Sequence, residues 1–281
     1  MNRIASVVVF NFRRCFGPCI AILACSVVLC NVAILNLVLQ CDSSQMCHLA
    51  FADYLAAPLI GGASLQPMSR TTQPIPFQWI ALTFLLLMWA FSAPLGNKGY
   101  ALRVYIIGSK SRLLWFFSDI VWVFLGIAAM LALLCGSALV WSMIFGADAS
   151  QNVSISCAVF LKDEYLAADP SLPMGALASF FVAAFAISMM ILNALSYFGD
   201  IPSFSLMAIL LGLALLSHSP WLLTRFLSLS CYASISAGGI DWHASCIASS
   251  IVLVGMLALY FFRVRHMDLV PNRGVSNDIA A

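Results

Sequence analysis

Residues 96–115 have the sequence GNKGYALRVYIIGSKSRLLW. This segment lies between two strongly apolar runs and contains Lys98, Arg103, Lys110 and Arg112 but no acidic residue. In membrane proteins, connections rich in Lys and Arg stay on the cytoplasmic side of the bilayer. The segment therefore predicts the orientation of the helices on either side of it.

The composition predicts an integral membrane protein. Of the 281 residues, 63% are hydrophobic and 9% are charged, whereas about a quarter of the residues of a soluble domain are charged. So few charges would not cover the surface of a soluble protein of this length. The basic residues form no dense face outside the connections between apolar runs, which argues against nucleic-acid binding.

The apolar runs predict an all-α protein with six transmembrane helices, because a helix needs about 20 apolar residues to cross a bilayer. The predicted spans are 19–39, 77–95, 113–145, 174–198, 203–216 and 244–262. The fifth span is short. The third is longer than one crossing requires, so it must tilt, project from the membrane or break, for example near Gly136. Together the spans form one membrane domain over residues 18–270, and residues 271–281 form a tail.

The distribution of charge predicts that both termini are cytoplasmic. If the amino terminus lies inside, ten of the thirteen Lys and Arg residues fall in inner segments. Only Arg70, Lys162 and Arg225 fall in outer segments, where most of the acidic residues also lie. This distribution agrees with the excess of basic residues found in cytoplasmic connections.

Two further segments are unusual for a membrane protein. Residues 1–17 are amphipathic, with Arg3, Arg13 and Arg14 off the apolar face, and predict a helix that lies in the membrane interface. Within residues 217–243 the apolar stretches 221–223 and 226–227 are too short to cross, and Arg225 interrupts them. They predict a re-entrant or interfacial segment between the fifth and sixth helices, with a plain surface loop as the alternative.

Few polar groups lie within the predicted spans. Asp119 is the main ionisable one, and an intramembrane acid is a functional candidate by default. Because it lies near the inner end of its span, it could instead pair with an arginine or reach the lipid headgroups. Asn31, Asn36 and Asn193 complete the predicted intramembrane polar site, and we expect them to form hydrogen bonds between helices rather than to bind substrate.

The sequence offers no set of catalytic or metal-binding residues. It lacks an H-E-x-x-H motif and a nucleotide-binding P-loop, and its histidines fall at or beyond the ends of the spans. The ten cysteines include no C-x-x-C pair and no zinc-like cluster with histidine. A disulfide between Cys41 and Cys47 fits their spacing, which by itself does not establish one. We therefore expect neither enzymatic activity nor a bound metal.

The basic segment has internal organisation. Tyr105 lies on the apolar face of a short predicted helix, Gly108 is suited to end that helix, and Ser109 is suited to cap the next one. Lys110 and Arg112 then lie in the first turn of the third span, where the helix dipole disfavours cations. In one interpretation these charges bind lipid phosphates and keep the segment on the cytoplasmic side. In the other they bind an acidic groove on a partner protein.

From Arg103 to Trp115 the chain resembles the pattern R-x-x-x-x-G-S-[RK]-x-x-x-x-W. This pattern lies between the second and third spans of bacterial ABC exporter permeases of the type-two kind, which include lantibiotic and peptide-antibiotic export or immunity permeases. The basic amino-terminal helix, the six spans and the segment between the fifth and sixth spans are similar to that family as well. The stretch that begins at Arg263 and ends at Leu269 also looks like the family's ending.

The resemblance implies that the basic segment is a coupling helix. It assigns Arg103, Gly108, Ser109 and Arg112 to the coupling region, and Tyr105 and Lys110 complete the predicted contact with the ATPase. The implied partners are two separate ABC ATPase subunits, which hold ATP and Mg²⁺, a second permease subunit (identical or a sister chain) and the lipid bilayer. The chain itself would need no cofactor.

The implied location is the bacterial cytoplasmic membrane, which the chain would cross several times. The substrate would be hydrophobic or amphipathic, such as a peptide, a lipid-like compound or a drug. The alternative is a membrane assembly or sensor protein without transport activity. The long outer segment that contains Cys41 and Cys47 favours that alternative.

Overall fold

The structure, a computed structural model, describes residues 3–40, 49–60, 77–97, 112–153, 167, 169–216, 222–236 and 238–266. These residues form α1 (Arg3–Gln40), α2 (Phe51–Ala56), α3 (Phe77–Asn97), α4 (Arg112–Phe145), α5 (Met174–Phe198), α6 (Asp200–Leu216) and α7 (Trp242–His266). Two short 3-10 helices, Leu223–Leu227 and Leu229–Cys231, precede α7. Within the described ranges, β-type pairing is limited to isolated bridges. The described fold is therefore all-helical.

Four helical segments are long and apolar enough to cross a membrane. They are Gly17–Leu39, Phe116–Phe145, Met174–Phe198 and Trp242–His266. Helical structure suits these runs because a backbone in lipid must satisfy its own hydrogen bonds. Two shorter apolar segments, Phe77–Ser92 and Asp200–Leu215, fall in α3 and α6. The chain has the helices of a multi-pass membrane protein. Each of the six predicted spans lies within one of the described helices. That all six helices cross the membrane stays a prediction.

Two of the helices are longer than a single crossing requires. α1 continues through Gly17 and Pro18, so the amphipathic segment and the first predicted span form one helix of 38 residues. α4 is also continuous, and over its 34 residues it extends about 50 Å. The suggested break near Gly136 is therefore wrong, because the helix passes through this glycine without interruption. Of the three options for this span, tilt and projection remain.

The central helix of the bundle is α5. In its most apolar stretch 67% of the residues are buried inside the protein, compared with 17% for the corresponding stretch of α7. Ala183, Ala184 and Ala186 are completely buried, and such small side chains let neighbouring helices approach closely. The most extensive helix pairing in the described residues is that of α5 with α7.

The connections meet at two opposite ends of the bundle. At one end, which we call the basic end, α3 finishes and α4 begins, Gly199 joins α5 to α6, and α7 finishes with Arg263, Arg265 and His266. The side chain of Arg263 contacts the last turn of α5 at this end, and Phe116 of α4 packs against Phe261 of α7.

The other end, which we call the capped end, contains α2, residues 146–153 and 169–173, and residues 222–241. Backbone hydrogen bonds join these pieces. The amide of Phe51 donates to the carbonyl of Asp148 at 2.9 Å, and that of Leu229 donates to the carbonyl of Leu59 at 3.0 Å. The amide of Ser171 donates to the carbonyl of Ser234 at 2.8 Å. Connections far apart in sequence therefore form one folded layer over this end.

Charge follows the same division of the bundle. At the capped end Asp148, Asp169 and Asp241 are exposed. At the basic end α7 finishes with Arg263, Arg265 and His266. The last-turn cations of α7 and these exposed acids thus lie at opposite ends, although Arg225 and His243 lie at the capped end and Asp200 lies at the basic end.

Candidate functional site

Most of the predicted coupling segment lies outside the described residues. This applies to Arg103, Tyr105, Gly108, Ser109 and Lys110. Its two flanks are described, since α3 ends at Asn97 and α4 begins at Arg112. The segment therefore connects two helix ends at the basic end of the bundle, where α5 and α7 also finish.

A buried acidic residue, Asp119, lies two turns after the start of α4. Its Oδ2 accepts a hydrogen bond of 2.5 Å from the hydroxyl of Tyr260 on α7. Asp119 is 1% exposed and Tyr260 is 3% exposed. This burial argues against the interpretation in which the carboxylate reaches the lipid headgroups.

An apolar cluster encloses the Asp119–Tyr260 pair. The ring of Phe116 stacks on that of Tyr260, with ring centres 5.8 Å apart, and meets the ring of Phe261 edge to face at 5.5 Å. Met189, Leu192 and Val264 complete the buried part of the cluster. The pair thus lies where α4, α5 and α7 meet, in surroundings that exclude water.

Arg263 connects α7 to the end of α5. Its Nη2 and Nε both donate to the backbone carbonyl of Ser196, at 3.0 and 3.3 Å. Its guanidinium carbon lies 4.7 Å from the centre of the Tyr197 ring. The last carbonyl groups of a helix lack partners in their own helix, and the dipole there is negative, so a cation is favoured at this position.

Asn193 joins α5 to α7 less than two turns before the end of α5. Its Nδ2 donates to the carbonyl of Met189 in its own helix and to that of Met256 on α7, both at 2.9 Å. The side chain is buried, and its Oδ1 has no hydrogen-bond partner within the described residues. Asn193 therefore makes an interhelical contact of the kind expected for it.

The two asparagines of α1 differ in their surroundings. Asn31 accepts a 2.7 Å hydrogen bond from Nε1 of Trp141 on α4, and its Nδ2 donates to the carbonyl of Val27. Asn36 is half-buried on the same helix. The structure does not bring Asn31, Asn193 and Asp119 into one site, because Asn31 contacts the opposite end of α4 from Asp119.

The segment before α7 is buried and well connected. Nε1 of Trp79 on α3 donates to the carbonyl of Leu227 at 2.6 Å, and the hydroxyl of Tyr232 donates to the carbonyl of Phe226 at 2.9 Å. Burial raises the pKa of Tyr232 to about 12, while hydrogen bonds to Ser179 and Ser245 lower it by less. A plain surface loop does not describe residues 226–232, because all of their side chains are buried.

Several important partners carry no clear signal in the sequence. Tyr260 lies within an apolar run, and nothing near it indicates a carboxylate 141 residues away. Arg263 looks like a topology signal at the end of a span, yet it caps another helix. Asp53 was grouped with the outer acids, but it is fully buried and accepts a hydrogen bond from the amide of Ala50 at the start of α2. Only its position, three residues after the start of a helix, could have indicated this role.

The remaining predicted features can be stated briefly. Cys41 and Cys47 lie outside the described residues. In the part of the chain that the structure describes, no three His, Cys, Asp or Glu side chains are grouped in a way that could hold a metal ion.

Comparison with known proteins does not assign the chain to a family. No family model matches it, and neither the curated proteins nor the solved structures contain a match.

Proposed function

We propose that the chain is the permease subunit of an ATP-binding-cassette exporter in a bacterial cytoplasmic membrane. It would move a hydrophobic or amphipathic substrate, with a separate ATPase subunit as the motor. The supporting observation is the position of the basic segment, of which residues 98–111 join α3 to α4 at the end where α5 and α7 also finish. A partner that moved this segment would act directly on α3 and α4.

Charge supports the orientation that this function requires. The basic end corresponds to the predicted cytoplasmic side, and the capped end with its exposed acids corresponds to the outer side. In the proposed topology α1 and α3 to α7 all cross the membrane, both termini are cytoplasmic, and the segment predicted over residues 217–243, between α6 and α7, is re-entrant. Residues 3–17 would lie along the inner interface, where Arg13 can approach lipid phosphates.

Because residues 1–281 contain no P-loop, the proposal assigns ATP hydrolysis to a separate subunit. Affinity purification of the full-length chain from its native membrane is therefore the direct test. We expect an ATPase to co-purify, and we expect the double substitution Arg103→Ala with Arg112→Ala to reduce its recovery at least about fivefold.

The matched control is Lys162→Ala, which removes a cation from a predicted outer segment and should leave recovery unchanged. Failure of any ATPase to co-purify with the unmodified chain would overturn the proposal. If the double variant recovered as much ATPase as the unmodified chain, the basic segment would not be part of the contact with the ATPase.

The orientation has a separate test. A reporter that is active only in the cytoplasm, fused after Ala281, should be active, and the same reporter inserted after Lys162 should be inactive. The reverse pattern would invert the topology and place the basic segment outside, where no ATPase could reach it.

The capped end favours a second candidate, a membrane assembly or sensor protein without transport activity. Its connections form a hydrogen-bonded layer that could present a surface to a partner outside the membrane. The purification separates the two candidates, because a sensor or assembly protein should recover a different partner and no ATPase.

A further inference from the structure

The Asp119–Tyr260 pair is poorly explained by stability alone. A buried carboxylate loses its hydration, and replacing a buried polar pair by apolar side chains often leaves a protein equally stable or makes it more stable. The surrounding cluster of Phe116, Met189 and Leu192 is already apolar and could accommodate two more apolar groups. A carboxylate and a phenol at this position therefore call for a role beyond packing.

The hydrogen bond is short and directional. Its length of 2.5 Å is in the range of bonds from a hydroxyl to a charged oxygen, which are roughly twice as strong as neutral ones. Both residues are buried, and low surrounding polarity strengthens such a bond. It connects α4 to α7 beside the ring contacts of Phe116 with Tyr260 and Phe261.

The position of the bond in the chain is also specific. Asp119 follows the first residue of α4 by two turns, and that helix begins where the basic segment ends. Tyr260 precedes Arg263 by three residues on α7, and Arg263 contacts the carbonyl of Ser196 at the end of α5. A continuous set of contacts thus leads from the basic segment through α4 to α7 and then to α5.

We propose that Asp119 and Tyr260 are positioning residues that transmit displacement of the basic segment from α4 to α7, and that Arg263 passes it on to α5. This inference rests on the proposed function, because the displacement originates in an ATPase bound at the basic segment. In the absence of the pair, α4 would still respond to the motor, while α7 would respond less.

The test is hydrogen–deuterium exchange of the full-length chain, purified with its ATPase in lipid nanodiscs, with and without a non-hydrolysable ATP analogue. In the unmodified chain we expect the analogue to change exchange both in the first turns of α4 and in the last turns of α7. In Tyr260→Phe the response of α4 should persist, and that of α7 should fall at least about fivefold. Asp119→Asn, which keeps an oxygen acceptor, should retain most of the α7 response, and Asp119→Leu should lose it.

Tyr232→Phe is the matched control. It makes the same substitution at an equally buried tyrosine, which also donates to a neighbour, but at the capped end. A purely structural role for Tyr260 predicts that both variants change exchange without nucleotide and leave the response of α7 to nucleotide intact. That result, or an α7 response in Tyr260→Phe equal to that of the unmodified chain, would overturn the proposal.

Failure of the proposed function would look different. If no ATPase co-purifies with the unmodified chain, there is no motor whose displacement could be transmitted, and the transmission role falls with the proposed function. Exchange without nucleotide then still tests the contact itself, since Tyr260→Phe should loosen both the start of α4 and the end of α7. If an ATPase co-purifies and α7 nevertheless responds normally in Tyr260→Phe, only the transmission role is wrong.

Discussion

Trp89 lies directly against Gly126, so closely that a Cβ atom at this glycine would be 2.0 Å from the indole Nε1. Trp89 also stacks on Trp122, with ring centres 5.3 Å apart, and donates to the carbonyl of Trp122 at 3.0 Å. The glycine therefore provides the space in which α3 and α4 are joined.

We accordingly expect Gly126→Ala to destabilise the protein by about 1–3 kcal/mol, since overpacking forces side chains or backbone to shift. Thermal unfolding in detergent, followed by tryptophan fluorescence, would measure the change. Gly136→Ala is the control on the same helix, because a Cβ atom there has no neighbour within 4 Å. Equal stability of the two variants would show that the Trp89 contact does not restrict residue 126.

The hydrogen bond between Asn31 and Trp141 should stabilise the contact of α1 with α4. Asn31→Leu removes the acceptor and leaves the half-buried indole N–H without its partner. We expect a loss of about 1 kcal/mol, within the range measured for hydrogen bonds between membrane helices. Asn36→Leu, on the same helix, should cost less in the same unfolding assay. If Asn36→Leu cost as much, a general effect of the substitution would explain the result better than the Trp141 bond.

Arg263 should be required in its full form and not merely as a positive charge. Arg263→Lys keeps the charge but loses the two-nitrogen contact with Ser196 and the planar contact with Tyr197, so we expect it to lose most of the stability that Arg263→Gln loses. Because Arg263 is half-exposed, the total effect should be about 1 kcal/mol. The thermal midpoints of the two variants measure this. A lysine variant as stable as the unmodified chain would show that charge alone is sufficient.

Cys231 should react slowly with thiol reagents in the folded protein. Burial raises the pKa of its thiol to about 11, although the nearby charge of Arg225 lowers it by a smaller amount. Since the thiolate is the reactive form, only about one molecule in a thousand would be reactive at pH 8. The rate of alkylation by iodoacetamide, measured by mass spectrometry, should rise about tenfold per pH unit between pH 8 and 10.

The unfolded chain is the control for this measurement. Its Cys231 should react quickly at pH 8, because an exposed thiol has a pKa of about 8.5. If folded and unfolded chains react at the same rate, Cys231 is accessible in the native state and its burial at the end of the second 3-10 helix is incorrect.

The helices themselves were largely predictable from the sequence. The predicted third span began at residue 113 and ended at 145, and α4 extends from Arg112 to Phe145. The fourth predicted span coincides with α5. Apolar runs of this length leave the backbone no alternative to helical hydrogen bonding in lipid. The break at Gly136 was wrong because a glycine weakens a helix only slightly when neighbouring residues support it.

The contacts between helices were much less predictable. Asn31 and Asn193 were expected to bond across helices, but their partners, Trp141 and the carbonyl of Met256, could not be named. An apolar helix in a membrane has little amphipathic pattern, so its sequence does not show which face meets which neighbour.

The sequence by itself determined where the helices form and, through its charges, which end of the bundle is basic, because both depend on local composition. Only the tertiary structure decided that Asp119 meets Tyr260 across 141 residues and that Arg263 caps α5. Such pairs depend on the rotation and depth of each helix, which are set by packing against several neighbours at once. In the proposed function the segment from Gly96 to Trp115 is where the motor binds, and the contact of Asp119 with Tyr260 is the proposed route from it to α7.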